Sequence, residues 1–308
     1  MENIEKPAVL VTGASGYIGS RLVGKIAGGC KSVVSMYRQR LPEPLDNVFP
    51  VCNDLRSHEL LGAPLREIDT VVHLAWESEG EERQQKDSTI NLFLLKNLIA
   101  KMEEVGTKKL VLISNVGASN NSNMSFLRDK YEIENLAINS NIEKITIVRS
   151  PMVMSGVPGE DKYLDAMLAL LNFPMVYPVP VPKDKKFWIV SLDEITSLLT
   201  QKIFNNSKDP REIVELKSST EFTVDDVLKF LCQTYIRKQK LGVGAFFGKS
   251  LAKVLGKISR RGRISMAEIE EIGLLSHAQL ISNKENLVVS KLRTLQDILN
   301  AKPLDNKA

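Results

Sequence analysis

Short apolar runs alternate with amphipathic stretches through the first half of the chain. The runs are AVLVT, SVVSMY, VFPVC, TVVHLA, KLVLIS and ITIVR; between them the segment up to Lys25 and the segments around residues 84–104 and 124–139 carry apolar positions at helical spacing. Strands that are apolar throughout are buried on both faces, and strands that alternate with helices build βαβ units. The pattern therefore predicts a parallel sheet with right-handed crossovers stacking helices on both sides. Beyond residue 150 the order loosens into a stretch holding Pro174, Pro178, Pro180 and Pro182. After it, IVSLDEITSLLTQKIF predicts a helix and EIVELK a strand that returns to the sheet. The last ninety or so residues, rich in Lys and Leu, predict mostly helix. The expected architecture is α/β: a doubly wound parallel sheet over residues 1–155 and 188–218, with a smaller, mostly helical cap over 156–187 and 219–308.

The turn after the first strand changes this from a fold into a candidate site. VLVTGASGYIGS places Gly13, Gly16 and Gly19 at GxxGxxG spacing, directly after an apolar strand and directly before a helix. A pyrophosphate at a helix N-terminus needs close backbone approach, which side chains at Gly13 or Gly16 would obstruct, while Gly19 lets the helix pack on the strand. Ser15, Tyr17 and Ile18 share this loop and belong with it in the cofactor site. The unit reads as Rossmann-type, binding NAD or NADP. A glycine-rich turn that binds nothing is the plainer alternative.

Composition narrows the function. The 308 residues are 43% hydrophobic and 25% charged, with a formal net charge of +4, so a substantial core is available and no global bias toward nucleic acid exists. Cys30, Cys52 and Cys232 lie far apart, and the histidines are His58, His73 and His277. Neither a disulfide framework nor a zinc cluster is expected, and no metal site is assigned. Acidic residues precede the first apolar run, and eighteen apolar residues never occur together, so neither a secretion signal nor a membrane span is expected, and the reading is cytoplasmic.

TGASGYIG resembles the extended or atypical short-chain dehydrogenase/reductases, the group that includes NAD-dependent epimerases and dehydratases. Other landmarks follow in the family's order. Asn53-Asp54-Leu55 resembles the acidic segment beside the adenine ring, and Val71-Val72-His73-Leu74-Ala75 the strand and turn behind the cofactor. Asn91 matches a family asparagine that stabilises the sheet, and Val148-Arg149-Ser150-Pro151 resembles the strand end near the nicotinamide. The resemblance thus implies Asp54, Leu55, Leu74, Ala75 and Pro151 as cofactor-side residues. It covers residues 7–160 well, reaches IVSLDEI more loosely, and is faint beyond about 220.

In NAD-binding units of this kind an acid at the end of the second strand takes the ribose hydroxyls, whereas an arginine there suits the 2′-phosphate of NADP. The chain has Tyr37-Arg38-Gln39-Arg40 at that place and no acid until Glu43. Arg38 becomes the candidate for the 2′-phosphate and NADP the expected cofactor, with NAD the alternative; a pair of solvated arginines is the plainer reading.

The family's chemistry implies a serine or threonine, a tyrosine, and a lysine four residues after the tyrosine. DKYEIENLA puts Lys130 four residues before Glu134, in the lysine position. Phe126 then stands in the tyrosine position and cannot donate a proton. The hydroxyl position falls on Asn115, with Ser114 just before it; a one-residue slip would make Ser114 the relevant group. Tyr131 is about 100° round the helix from the Phe126 face and reads as a packing residue. Loss of a positioned acid costs about a hundredfold to ten-thousandfold, which is not total, and isoflavone-reductase-like relatives rely on lysine without the tyrosine. Lys130 is carried forward as ribose ligand and sole acid, with a surface helix lysine as the plainer reading.

From Arg237 to Arg263 there are nine basic residues and no acid, with Lys249, Lys253 and Lys257 at helical spacing among apolar positions. The stretch suits a pocket for a phosphorylated or nucleotide-linked substrate, an anionic membrane surface, or a cap helix with a solvated face, the last preferred. Membrane association and nucleic acid are not expected as partners; a small-molecule substrate is, and a homodimer stays open. Two functions remain: an epimerase/dehydratase-like oxidoreductase, or a cofactor-binding sensor or assembly protein whose catalysis has lapsed.

Overall fold

A computed structural model describes residues 6–77, 88–171, 176–179, 186–205, 208–236, 241–243, 287–290 and 294–299. In chain order the elements are β1 (Ala8–Thr12), α1 (Tyr17–Ile26), β2 (Ser32–Tyr37), β3 (Val48–Cys52), α2 (Gly62–Leu65), β4 (Thr70–His73), α3 (Ser88–Val105), β5 (Lys109–Asn115), α4 (Ser125–Ile138) and β6 (Lys144–Ser150). They continue with β7 (Met152–Met154), α5 (Lys162–Leu170), β8 (Val176–Pro178), β9 (Lys186–Phe187), β10 (Ile189–Ser191), α6 (Leu192–Phe204) and β11 (Arg211–Lys217). The last are β12 (Phe222–Thr223), α7 (Val224–Leu231), β13 (Leu241–Val243), β14 (Leu287–Val289) and α8 (Leu295–Leu299).

Eight strands make one sheet in the order β3-β2-β1-β4-β5-β6-β11-β14, and the pairings from β3 through β11 are parallel. This is the doubly wound arrangement expected from the alternation of runs. Strand order reverses between β1 and β4, and there the crevice beyond the strand C-termini opens. Register fixes which side chains share a face: Thr12 lies opposite His73, His73 opposite Leu112, and Ser114 opposite Arg149. With alternation along each strand, Leu10, Val71, Leu110, Leu112, Ile145 and Ile147 line one face. Leu94, Leu95 and Leu98 of α3 and Ile133 and Ala137 of α4 join them in a single buried cluster.

The chain divides into two compact units, one holding Met1–Ser150, Asp193–Glu215 and Glu285–Leu287, the other Pro151–Leu192, Leu216–Lys284 and Val288–Ala308. In the first unit α1 is tied to α6, the Arg21 guanidinium donating to Asp193 at 3.0 and 3.1 Å and Lys25 to Ser197 at 2.6 Å. Arg211 caps the end of α4 by donating to the carbonyls of Ile138 (3.0 Å) and Ser140 (3.1 Å), which have no helical partners of their own. The second unit is built from two-stranded pairs, β7 with β10, β8 with β13 and β9 with β12. Asp161 caps α5 by accepting from the N–H groups of Tyr163 and Leu164, and buried Tyr177 donates to Asp225 at 2.8 Å.

Two sequence expectations change. Ile189–Ser191 is a strand rather than the start of a helix: the β-branched pair suits pairing with β7, and α6 begins only at Leu192, with Asp193 and Glu194 in the first turn where the helix dipole favours acids. Leu287–Val289, expected to be helical, lies at the sheet edge beside β11. Three residues are too few for periodicity to tell helix from strand. Lys249, Lys253 and Lys257 lie outside the described residues. Among the described residues no helix is long and apolar enough to cross a membrane.

Candidate functional site

β1 ends at Thr12, and the chain turns through Gly13 at φ +66° into α1. Gly16 N–H donates to the Gly13 carbonyl at 2.9 Å, and Ala14 N–H to the Met36 carbonyl at 3.0 Å, seating the loop on the end of β2. The three glycines answer to different neighbours. A Cβ on Gly19 would stand 2.2 Å from the Gly13 carbonyl oxygen, and one on Gly13 would stand 2.8 Å from Ala75 N. Both positions are closed by the protein's own backbone. Gly16 is exposed, and its Cβ would meet only the Gly13 oxygen, at 3.1 Å. The sequence reading placed a ligand over Gly13 and Gly16 alike; the space at Gly13 belongs to Leu74 and Ala75, and Gly16 is the exposed one. No side chain caps α1, so its start suits an anion. Ser15, Tyr17 and Ile18 are half-buried around it.

The Leu74-Ala75 turn is held against Gly13 by Thr12. Its Oγ1 accepts the N–H groups of Leu74 and Ala75, each at 3.2 Å, and lies 2.9 Å from His73 Nδ1. With both incoming donors accepted, the hydroxyl proton goes to Nδ1, and the His73 proton sits on Nε2. Burial, and then the positive charge of Lys130, push the His73 pKa down to about 3, so the ring is neutral. Buried Asn91 then clamps the next residues: its Oδ1 accepts from Glu77 N–H at 2.9 Å and its Nδ2 donates to the Glu77 carbonyl at 3.0 Å. An asparagine was expected here as a sheet stabiliser; it acts on the loop leaving β4.

Arg38, directly after β2, does not stand alone. Its guanidinium pairs with Glu77, and Arg56 donates to the same Glu77 oxygen at 2.8 Å. Asp54 holds Arg56 in turn, accepting its backbone N–H at 3.1 Å and its guanidinium at 3.2 Å; these bonds, the backbone one foremost, keep the Asp54 carboxyl below its ordinary pKa. Leu55 is buried at φ 63° between Asp54 and Arg56. Thus an acid does lie beside Arg38, brought from the end of β4 rather than from the end of β2.

At the other side of the crevice Lys130 is buried, its Nζ 3.6 Å from the centre of the Trp76 ring, a cation–π contact. Phe126 is one turn earlier on α4 and half-buried. The phase of α4 is set by Glu134, which accepts a two-pronged ion pair from Arg149 of β6 at 2.7 and 3.0 Å, both residues buried. Burial works against the Arg149 charge, but Glu134 and then Glu215 more than offset it and leave its pKa raised. Asn115 ends β5, half-buried. Ser114 beside it is buried and its hydroxyl has no partner among the described residues. Tyr131 is half-buried. Pro151, buried directly after β6, is the first residue of the second unit.

Thr12, Arg56, Trp76 and Glu77 were not singled out for this site from the sequence, and His73 entered only as part of the strand behind the cofactor. Trp76 and Glu77 follow Leu74-Ala75 without a break, so carrying the reading two residues further would have found them. Glu77's pairing with Arg38, 39 residues away, has no local signal.

Sheet order, crevice and glycine loop define the Rossmann-type class of dinucleotide-binding proteins. The model of the NAD(P)H-binding family matches residues 13–166, half of the chain, and the chain belongs to that family. Solved structures share the fold. An epimerase from the thermophilic methanogen Methanothermobacter thermautotrophicus is 17% identical, with TM-score 0.66 over 97% of this chain and 88% of its own. A mutant UDP-glucuronic acid 4-epimerase from Bacillus cereus, in complex with a fluorinated UDP-sugar and NAD, is 17% identical, with TM-score 0.65 over 77% of this chain and 85% of its own. The dTDP-glucose 4,6-dehydratase of Bacillus anthracis in complex with NAD is 14% identical, with TM-score 0.63 over 77% and 84%. Curated proteins yield no match.

Proposed function

We propose that this chain binds NADP(H) in preference to NAD(H) and uses it for redox or epimerisation chemistry on a small, phosphorylated or nucleotide-linked substrate. The observation that carries the reading is the exposed Gly16 at the uncapped start of α1, at the same end of the sheet as Arg38 after β2 and Trp76 after β4, which Lys130 covers. The residues fit a nicotinamide dinucleotide: the α1 start takes the pyrophosphate, Arg38 the 2′-phosphate, and Asp54, Leu55, Leu74 and Ala75 flank the adenosine half. Lys130 holds the ribose. The bound nicotinamide supplies or accepts the hydride; the chain supplies position and protons.

Phe126 offers no proton, so Lys130 is the acid of this reading, with the Ser114 hydroxyl, unpartnered among the described residues, and Asn115 as the neighbouring polar groups. The Lys130–Trp76 contact, with Phe126 in place of a proton donor, supports a second reading, in which Lys130 is packed against an indole and serves binding alone, the protein acting as a sensor or assembly partner. Turnover on a panel of ketones, enones and sugar nucleotides, with Lys130→Ala beside the parent, decides between them. The enzyme reading expects activity that Lys130→Ala lowers about a hundredfold or more; full activity in Lys130→Ala removes the lysine from the mechanism, and a parent that binds NADPH yet turns over nothing supports the sensor.

A further inference from the structure

We infer that Arg56 is a second arm of the 2′-phosphate seat and that Glu77 is the carboxylate which the phosphate must displace, so that these two residues set how strongly NADP is preferred over NAD. The inference rests on the NADP reading above and extends it to residues which that reading does not use.

Arg38 and Arg56 donate to one and the same atom, Glu77 Oε1. Two guanidinium groups converging on a single anionic oxygen are the arrangement that receives a phosphomonoester, whose oxygens accept from planar forks in just this way. The three residues come from the ends of β2, β3 and β4, around β1 and the glycine loop, where the adenosine ribose of a dinucleotide lies in this fold. A pair assembled from three strand ends at the ligand crevice is placed differently from a surface ion pair between sequence neighbours.

Arg56 is also aimed. The residue before it, Leu55, takes a left-handed conformation that a bulky side chain seldom adopts, and three side chains hold it there. Asn53 Oδ1 accepts Leu55 N–H at 2.8 Å, Asn97 Nδ2 donates to the carbonyls of Leu55 and Arg56 at 3.1 Å each, and Asp54 binds both the backbone and the guanidinium of Arg56. Glu77 is fixed differently. Asn91 clamps its backbone, while among the described residues its carboxylate is bound only by the two arginines. It can therefore rotate without disturbing the turn. Paired as they stand, two arginines and two acids sum to no charge; turning Glu77 out frees both guanidinium groups for a dianionic phosphate, while Asp54 keeps Arg56 in place. A 2′-hydroxyl has no charge with which to drive that exchange.

The test is calorimetric titration of the full chain with NADPH and with NADH. Arg56→Ala is expected to weaken NADPH about tenfold and to move NADH less than about twofold, and Glu77→Gln to tighten NADPH about tenfold. Arg56→Lys, which keeps the charge and loses the fork, is expected to fall between parent and alanine. Equal effects of Arg56→Ala on both nucleotides, or none on either, overturn the inference while leaving NADP preference intact. So does a Glu77→Gln variant that loses NADH affinity with NADPH unmoved, since Glu77 is then the acid that binds the ribose hydroxyls. A parent chain that binds NADH more tightly than NADPH fails the NADP reading itself, a result read before any variant is made.

Discussion

Gly13 and Gly19 are kept as glycine by carbonyl and amide atoms of the chain, at 2.2 to 2.9 Å from where a Cβ would sit. Phe126 and Asn115 are half-buried and Ser114 is buried, and each contributes a side chain rather than a turn of the backbone. The first region is made of main chain, so its sequence is dictated by geometry and reads the same in any protein that turns this way. The second is made of side chains on a helix and a strand whose framework includes the Glu134–Arg149 pair, of which Phe126 is no part. A cofactor site can thus persist while the chemistry beside it is altered, because the two rest on different parts of the structure.

The framework beneath the reactive side gives the largest expected effect. Glu134→Gln leaves the buried Arg149 guanidinium with Glu215 as its remaining acid, and a broken buried pair of this kind costs about 3 kcal/mol. Chemical denaturation measures it; a loss below about 0.5 kcal/mol, the size of a surface change, would mean that α4 is not locked to β6 by this pair.

Next comes the loop. Gly16→Val sets a Cβ 3.1 Å from the Gly13 oxygen, which must give by a few tenths of an ångström, so stability should fall by about 1 kcal/mol while nucleotide affinity falls about a hundredfold, or roughly 2.7 kcal/mol. Thermal melts and calorimetry separate the two numbers. Unchanged binding would show that the open side of Gly16 is not where the pyrophosphate lies.

The smallest effect is the one at the boundary between the regions. His73 has a folded pKa of about 3 against an ordinary 6.5, so between those values only the unfolded chain takes up the proton. Stability is then fully present above about 6.5 and declines as pH falls toward 3, at up to about 1.4 kcal/mol per pH unit. Between pH 6.5 and 5 the parent should lose about 2 kcal/mol more than His73→Gln. Equal slopes in urea titrations at the two pH values would show that His73 is not held neutral by the Thr12 bond and its burial.

The parts of this site that were legible beforehand were those written in consecutive residues. Six apolar runs at βαβ spacing announced the parallel sheet, and VLVTGASGYIGS announced the turn, because strand burial and backbone close approach constrain residue types one after another. Lys130 and Phe126 were legible as a helical pair for the same reason, being one turn apart on α4. The β10 strand inside IVSLDEI and the β14 edge strand were misread, since runs of three residues carry no period and only their partners, β7 and β11, make them strands.

Sequence alone therefore determined the alternation of elements, the glycine turn and the one-turn spacing of Phe126 and Lys130, each a local consequence of residue size and spacing. The tertiary structure alone decided that Gly13 is closed by Ala75 while Gly16 is exposed, that Thr12 orders the β4 turn by accepting Leu74 and Ala75 N–H beside His73, and that Arg38 shares Glu77 with Arg56. Those are contacts between strand ends tens of residues apart, and charge and hydrogen bonding act through space once the sheet has set its order, leaving no trace in the neighbours along the chain.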